Sequence, residues 1–232
     1  MIRLFTEEKL FENQTIILPE KQAHYVRNVM RLKEGENIAL FNGIDGEWLS
    51  HVFYEGKKQI RLVVQEQIRQ QEDLSKVILC FAIIKKENVD LILQKATELG
   101  VTEIYPMITD RTVVRGFNME RAKLILTEAA EQCERLSVPI LYEPMKLSAV
   151  LKSLPTEYTP IYLAERSETT QKLSQDIIPA FLIGPEGGFS STENQLLLKH
   201  QNIKTVHLGQ TILRAETAAL AVLSAWQFRL FD

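Results

Sequence analysis

The chain has 232 residues, 45% hydrophobic and 25% charged, with 27 Lys and Arg against 30 Asp and Glu and a formal net charge of −3. A chain of this length buries roughly 70–75% of its unfolded surface, so no disulfide or metal staple is needed, and the longest unbroken apolar run, Val77 to Ile84, falls far short of the roughly 20 residues that cross a bilayer. The acidic residues at Glu7 and Glu8 come too early for a secretory leader, so a cytoplasmic protein is expected, and the near-neutral balance gives no global footprint for nucleic acid.

From Arg3 to Arg69 the chain reads as short β-rich runs: Ile38 to Phe41, Trp48 to Tyr54 and Ile60 to Val64. Asn42-Gly43 and Asp45-Gly46 supply hairpin turn chemistry. A small β-barrel or sheet is expected over residues 1–70, closed by a polar linker from Gln67 to Leu74. From residue 71 the texture changes. Lys76 to Ile84 predicts a buried strand, and Glu87 to Leu99 a helix with Val89, Ile92, Leu93, Ala96 and Leu99 on one face. A strand over Glu103 to Met107 leads through a polar loop to a helix from Met119 to Leu136, which Pro139 prevents from continuing. Strands at Ile161 to Ala164, Phe181 to Ile183 and Thr205 to Leu208 alternate with helices at Ser191 to His200 and Arg214 to Leu230. This alternation predicts an α/β domain over residues 71–232, a mostly parallel sheet covered by helices.

Several familiar sites are missing. Cys80 and Cys133 have no CxxC context, and His24, His51, His200 and His207 lie far apart without HExxH, so no metal site is indicated. Neither GxGxxG nor GxxxxGK[ST] nor GxSxG occurs, which argues against a dinucleotide fold, a P-loop and a hydrolase elbow. The informative stretch is Leu182 to Ser190, where three of the ten glycines fall within five residues between a strand and a helix. Ligands of open α/β sheets bind at that edge; a tight turn with no ligand fits the same residues. The next helix opens with Ser190 and Glu193 at capping-box spacing. A second strand-to-helix junction, Leu208 to Ala218, places Arg214 at a helix entrance, against the dipole, and Glu216 with it. Glu128, Gln132 and Arg135 share one helix face, and Lys85, Lys86, Arg111 and Arg115 lie in or beside loops at strand ends. With Arg3, Arg27 and Arg31 these could make scattered phosphate contacts.

Taken together these motifs resemble one family. They are Met1-Ile2-Arg3-Leu4-Phe5 with His24, Val29-Met30-Arg31-Leu32 and Gly35; Leu93 to Val101; Arg111-Thr112; Glu128 to Gln132 with Arg135, Val138 and Pro139; Ile183 to Ser190; and Ile212 to Ala218. The chain resembles the bacterial ribosomal RNA small-subunit methyltransferases of type E, of the SPOUT superfamily. The resemblance implies a PUA-like RNA-binding barrel over 1–70 and a trefoil-knotted, homodimeric domain over 71–232. It further implies S-adenosylmethionine-dependent methylation of N3 of a uridine in 16S ribosomal RNA within the small ribosomal subunit, with no metal and no membrane. The chain departs from the family at Cys133, at Met30, and at Gln210-Thr211, where a basic residue is usual.

The expected cofactor contacts are Leu163, Ala164 and Glu165, then Ile183, Gly184, Pro185, Glu186, Gly187 and Gly188, then Leu208, Gly209, Ile212 and Leu213. Arg214 is expected to stabilise the anion developing on the base, with Glu186 or Glu216 accepting a proton, Glu216 fitting a loop-holding role better. Expected RNA contacts are Arg3, His24, Arg27, Arg31, Lys85, Lys86, Arg111, Arg115 and Arg135. Two rivals remain: methylation of a ribose hydroxyl or another base, and an RNA-binding module whose cofactor site is silent.

Overall fold

The computed structural model describes residues 1–56, 59–73, 75–112, 116–154, 161–164 and 178–228. The chain divides into two compact units, Met1–Asp73 with Ala130–Val138, and Leu74–Ala129 with Pro139–Asp232.

In the first unit β1 (Ile2–Phe5), β2 (Thr15–Ile17), β3 (Asn37–Phe41), β4 (Glu47–Glu55) and β5 (Gln59–Arg69) form a sheet in the order β1-β3-β4-β5-β2. Only β1 and β3 run parallel; β3, β4, β5 and β2 pair antiparallel. Alternate residues of these strands, among them Ile38, Leu40, Ile60, Leu62 and Val64, are fully buried and pack with Leu4, Ile16, Ala23 and Val26. Helix α1 (Glu20–His24) runs directly into a π-helical turn, Tyr25–Val29, whose Val26 faces this core while Tyr25, Val29 and Met30 stay exposed. The sequence pattern gave no sign of these helical turns or of β2, which is only three residues long.

Strand β5 runs on through Gln67, Ile68 and Arg69, where a linker is expected, because the pairing with β4 continues through a bulge to Glu47↔Arg69. A bulge breaks the period-two alternation, which is why a paired strand reads as polar linker.

The second unit is built on a sheet ordered β12-β10-β11-β6-β7-β8, with β9 also paired to β7. Its strands are β6 (Ile78–Ala82), β7 (Glu103–Ile108), β8 (Ile140–Leu141), β9 (Met145–Lys146), β10 (Ile161–Ala164), β11 (Ala180–Ile183) and β12 (Ile203–Val206). Every pairing is parallel. One face, carrying Ile78, Cys80, Leu163, Ala180 and Leu182, packs on α4 (Leu147–Ser153) and on Leu197 of α5 (Ser191–Lys199). On the other face Phe181 stacks on Tyr162 and meets Trp226 of α6 (Ala215–Gln227) edge-on, and α6 packs against α2 (Lys86–Glu98). A sheet buried on both faces explains why β6 reads as a continuous apolar run. Strand β12 lies two residues before the expected Thr205 to Leu208, freeing His207 and Leu208 for the loop.

Helix α3 (Met119–Gln132) stops four residues before the expected Leu136. Glu134 takes a left-handed φ of 62°. The Arg3 guanidinium donates to the carbonyls of Ala130, Glu131 and Arg135, and the Phe5 N–H donates to the Glu131 carboxylate. A distant arginine therefore caps the helix end. Phe41, Ala130 and Leu136 share a small core with Phe5 and Val138, so Ala130–Val138, within the expected second domain of 71–232, groups with the first compact unit.

Arg3 itself is corrected as an RNA contact. Its side chain is 7% exposed, pairs with the buried Glu47 carboxylate and lies over the Phe41 ring. With its donors spent on one carboxylate and three carbonyls, it is a structural anchor.

Candidate cofactor pocket

In a parallel sheet the loops at the carboxyl ends of adjacent strands converge on one edge, where ligands of open α/β sheets bind. Here the ends of β10 and β11 and the loop after β12 enclose a cavity of about 410 Å3, within the ordinary range of small-molecule sites. Its wall carries Leu163, Ala164, Ile183, Gly184, Pro185, Glu186, Gly188, Leu208, Gly209, Ile212 and Leu213, so most of the expected cofactor contacts come together. Gly187 belongs to the same loop but is not on the wall, and Glu165 lies outside the described residues. The structure adds Arg111, Phe189, Asn194, Thr211, Ala215 and Ala218.

The three clustered glycines have reasons within the protein. A Cβ on Gly184 would stand 2.8 Å from Phe189 Cε2 and 3.1 Å from Cζ, so the ring occupies the space that any other residue would fill. Gly187 lies under the aliphatic part of Arg111, whose Cδ is 3.6 Å from where its Cβ would be. Gly188 has φ +69° and closes a turn, its N–H donating to the Pro185 carbonyl at 2.8 Å.

Glu193 does more than close the capping box. Its carboxylate accepts from the Ser190 N–H and from the Asp110 N–H, each at 2.9 Å, and its own N–H donates to Ser190 Oγ at 3.2 Å. Ser190 Oγ in turn donates to the Asp110 carboxylate, and Arg111 Nη1 donates to the Gly187 carbonyl. The Thr109–Thr112 turn, closed by Thr112 N–H to Thr109 O at 3.0 Å, is thereby bolted to the glycine loop. Spacing reveals the capping box; the reach to Asp110, 83 residues away, is invisible in sequence.

Arg214 is the N-cap of α6, exposed, with no side-chain bond to the helix end. Glu186 is exposed on the cavity wall. Glu216 is buried in the first turn of α6, is not on the wall, and keeps one oxygen without a partner among the described residues.

The expected RNA contacts fall into groups. His24, Arg31, Lys85 and Lys86 are exposed. Arg27 is half-buried, donating to the carbonyls of Gly56 and Gln59 with its guanidinium over the Tyr54 ring. Arg135 is half-buried, and loss of solvent pushes its pKa down from the ordinary arginine value. Arg111 stands in the cavity wall, and Arg115 lies outside the described residues. Among the described residues no cluster of His, Cys, Asp or Glu could hold a metal ion, and no helix is long and apolar enough to cross a membrane.

Comparison with known proteins identifies the class. A family model described as RNA methyltransferase domain matches residues 70–227, and one described as RNA methyltransferase PUA domain matches 18–65. The ribosomal RNA small subunit methyltransferase E of Rickettsia conorii is 36% identical over 228 residues, spanning 96% of this chain and 93% of that protein. The enzyme of the same name from Synechocystis is 30% identical over 96% of this chain and 76% of its own. The crystal structure of the Neisseria gonorrhoeae ribosomal RNA small subunit methyltransferase E, bound to S-adenosyl methionine, superposes with a TM-score of 0.86 at 30% identity, covering 99% of this chain and 98% of that one. An RNA methyltransferase domain joined to a PUA domain is thus the class. More narrowly, the chain belongs to the ribosomal RNA small subunit methyltransferase E family.

Proposed function

We propose that the protein is an S-adenosylmethionine-dependent enzyme that methylates N3 of one uridine in 16S ribosomal RNA of the small subunit, working as a cytoplasmic homodimer. The observation that carries the reading is the cavity at the carboxyl ends of β10 and β11. Its chemistry fits the cofactor: Leu163, Ile183, Leu208 and Leu213 offer an apolar wall for adenine, and Ala215 and Ala218 leave room beside it. Arg111, the cation on the wall, matches the carboxylate of a methionyl tail. Gly209, with φ +109° and nothing within 4 Å of its Cβ position, exposes bare backbone to the cavity. Leu163, Ala164, Ile183 to Gly188, Leu208, Gly209, Ile212 and Leu213 are the proposed binding residues.

When bound, the cofactor supplies an electrophilic methyl group on a sulfonium centre. The protein must align the uracil nitrogen with it and dispose of the N3 proton. Arg214 stands exposed beside the cavity residues Leu213 and Ala215, with no partner among the described residues, and is the cation proposed to stabilise charge developing on the uracil carbonyl oxygens. Glu186, exposed on the wall, is the proposed proton acceptor; Glu216, buried in the first turn of α6 and off the wall, suits a structural role. The target base must leave any pairing, since N3 lies on its Watson–Crick edge.

The first unit is the proposed RNA-binding module, with the exposed His24, Tyr25 and Arg31 on and just after its helical turns offering stacking and phosphate contacts. Ile212, 82% exposed on the cavity rim, together with the exposed Leu198 and Phe228, supports a dimer that covers apolar surface. Primer extension on small-subunit RNA tests the reading. Because N3 methylation blocks pairing, cells lacking the protein should lose one stop in 16S RNA and regain it on complementation. A stop that does not return refutes the proposal.

A further inference from the structure

A carboxylate taken out of water into a binding cavity must find a donor, and the donor must already be in place if binding is not to cost side-chain ordering. On this wall the guanidinium of Arg111 is the cation. Its aliphatic part lies along Gly187, with Cβ and Cδ 3.8 and 3.6 Å from that residue's Cβ position, and Nη1 is 3.9 Å from that of Gly188. One N–H is spent on the Gly187 carbonyl; the rest of the planar fork has no partner among the described residues. An arginine reading flexible RNA would have no need of such fixing. Here both neighbours are fixed: Asp110 by the Glu193 carboxylate and Ser190 Oγ, Thr112 by hydroxyl and backbone bonds to Thr109 at 2.9 and 3.0 Å.

We propose that Arg111 binds the carboxylate of the cofactor's methionyl tail, and that Glu193 is the positioning residue that holds it there. This rests on reading the cavity as the S-adenosylmethionine site, and it moves Arg111 from the RNA contacts to the cofactor contacts. The bidentate match of guanidinium to carboxylate accounts for an arginine at this point, where a lysine would supply only a point charge.

The test is calorimetric, on the full chain, with S-adenosylmethionine and with its decarboxylated form, which lacks only the carboxylate. The wild-type protein should prefer the carboxylated ligand by roughly tenfold or more. Arg111→Ala should abolish that preference while leaving affinity for the decarboxylated ligand nearly unchanged, and Arg111→Lys should restore part of it. Glu193→Gln and, independently, Asp110→Ala should shrink the preference without removing it, as expected for residues acting through Arg111. Equal weakening of both ligands in Arg111→Ala would overturn the proposal in favour of a loop-bracing role. Unchanged cofactor binding with lost RNA affinity would overturn it in favour of an RNA contact. A wild-type protein that binds both ligands equally refutes the carboxylate assignment alone, whereas one that binds neither refutes the cavity reading itself.

Discussion

Replacing Gly184 by Ala separates a glycine kept for its neighbour from one kept for a ligand. The new Cβ would lie 2.8, 3.1 and 3.4 Å from three atoms of the Phe189 ring, against roughly 3.5–4.0 Å for relaxed carbon contacts. The ring must therefore retreat by roughly 0.7 Å. Phe189 is packed on the core that includes Leu163 and Leu182 and also lines the cavity, so any retreat costs packing or fills binding space. Overpacking of this kind costs about 1–3 kcal/mol. Since Gly184 does not sit at positive φ, the lost unfolded-state freedom returns about 0.4–1 kcal/mol. A net loss of about 1–2 kcal/mol follows, a fall in Tm of roughly 2–8 °C for a chain of this size. Thermal melts with and without S-adenosylhomocysteine, and calorimetry of the same ligand, measure both effects. The decisive measurement is the cycle with Phe189→Ala: truncating the ring removes the clash, so the double variant should lose less than the sum of the singles by about 1 kcal/mol or more. Melting of Gly184→Ala at the wild-type temperature, or additivity within about 0.5 kcal/mol, would refute the steric account.

Arg3→Ala leaves Glu47 buried without its nearer partner and frees three carbonyls, and should cost roughly 3–5 kcal/mol by denaturant melts of the first unit. Asp45 is held below its ordinary pKa by the Leu10 N–H and the Asn42 amide, so its stabilisation is complete above 3.8 and disappears as pH falls through the lower folded value; Asp45→Asn should melt earlier than wild type at neutral pH, with the gap closing in acid. Arg214→Ala should lower kcat for methylation of small subunits by roughly a hundredfold while calorimetry shows S-adenosylmethionine affinity within about threefold of wild type. Binding to short naked RNA should be weak and fall steeply with salt, with a log–log slope of about −0.7 for each phosphate neutralised, and comparable affinity for unstructured RNA and for small subunits would contradict it.

The parallel sheet of the second unit was legible because each of its longer strands is an apolar run beside a helix with period 3.6, and the Ser190–Glu193 box is local by nature. What sequence could not show is set by partners far along the chain. Helix α3 ends where Arg3 takes its carbonyls, strand β5 continues through a bulge that scrambles its pattern, and α1 with its π-helical turn is too short to carry a period. The residues of the cavity wall were largely legible from the glycine and Ile-Leu-Arg motifs. Arg111 is visible in sequence as a loop cation, but its place on the cavity wall is not, since nothing local says that Asp110 reaches Glu193.

Charge makes the same point from the other side. Residues 1–70 hold ten Lys and Arg against ten Asp and Glu, and the remainder seventeen against twenty, so neither part is a basic module. Of the arginines and lysines expected at RNA, Arg3 is consumed by helix capping, Arg27 and Arg135 are half-buried, and Arg111 is turned to the cavity. The exposed residues of that set among the described ones, Arg31, Lys85, Lys86 and the cavity-wall Arg111, are too few to give tight binding through phosphates alone, each contact adding a salt-sensitive increment. On the proposed function, selectivity comes from shape: a folded target presenting one uridine to a site that loses little entropy in receiving it. On the proposed function, a protein with this charge balance gains from meeting RNA in the assembled small subunit.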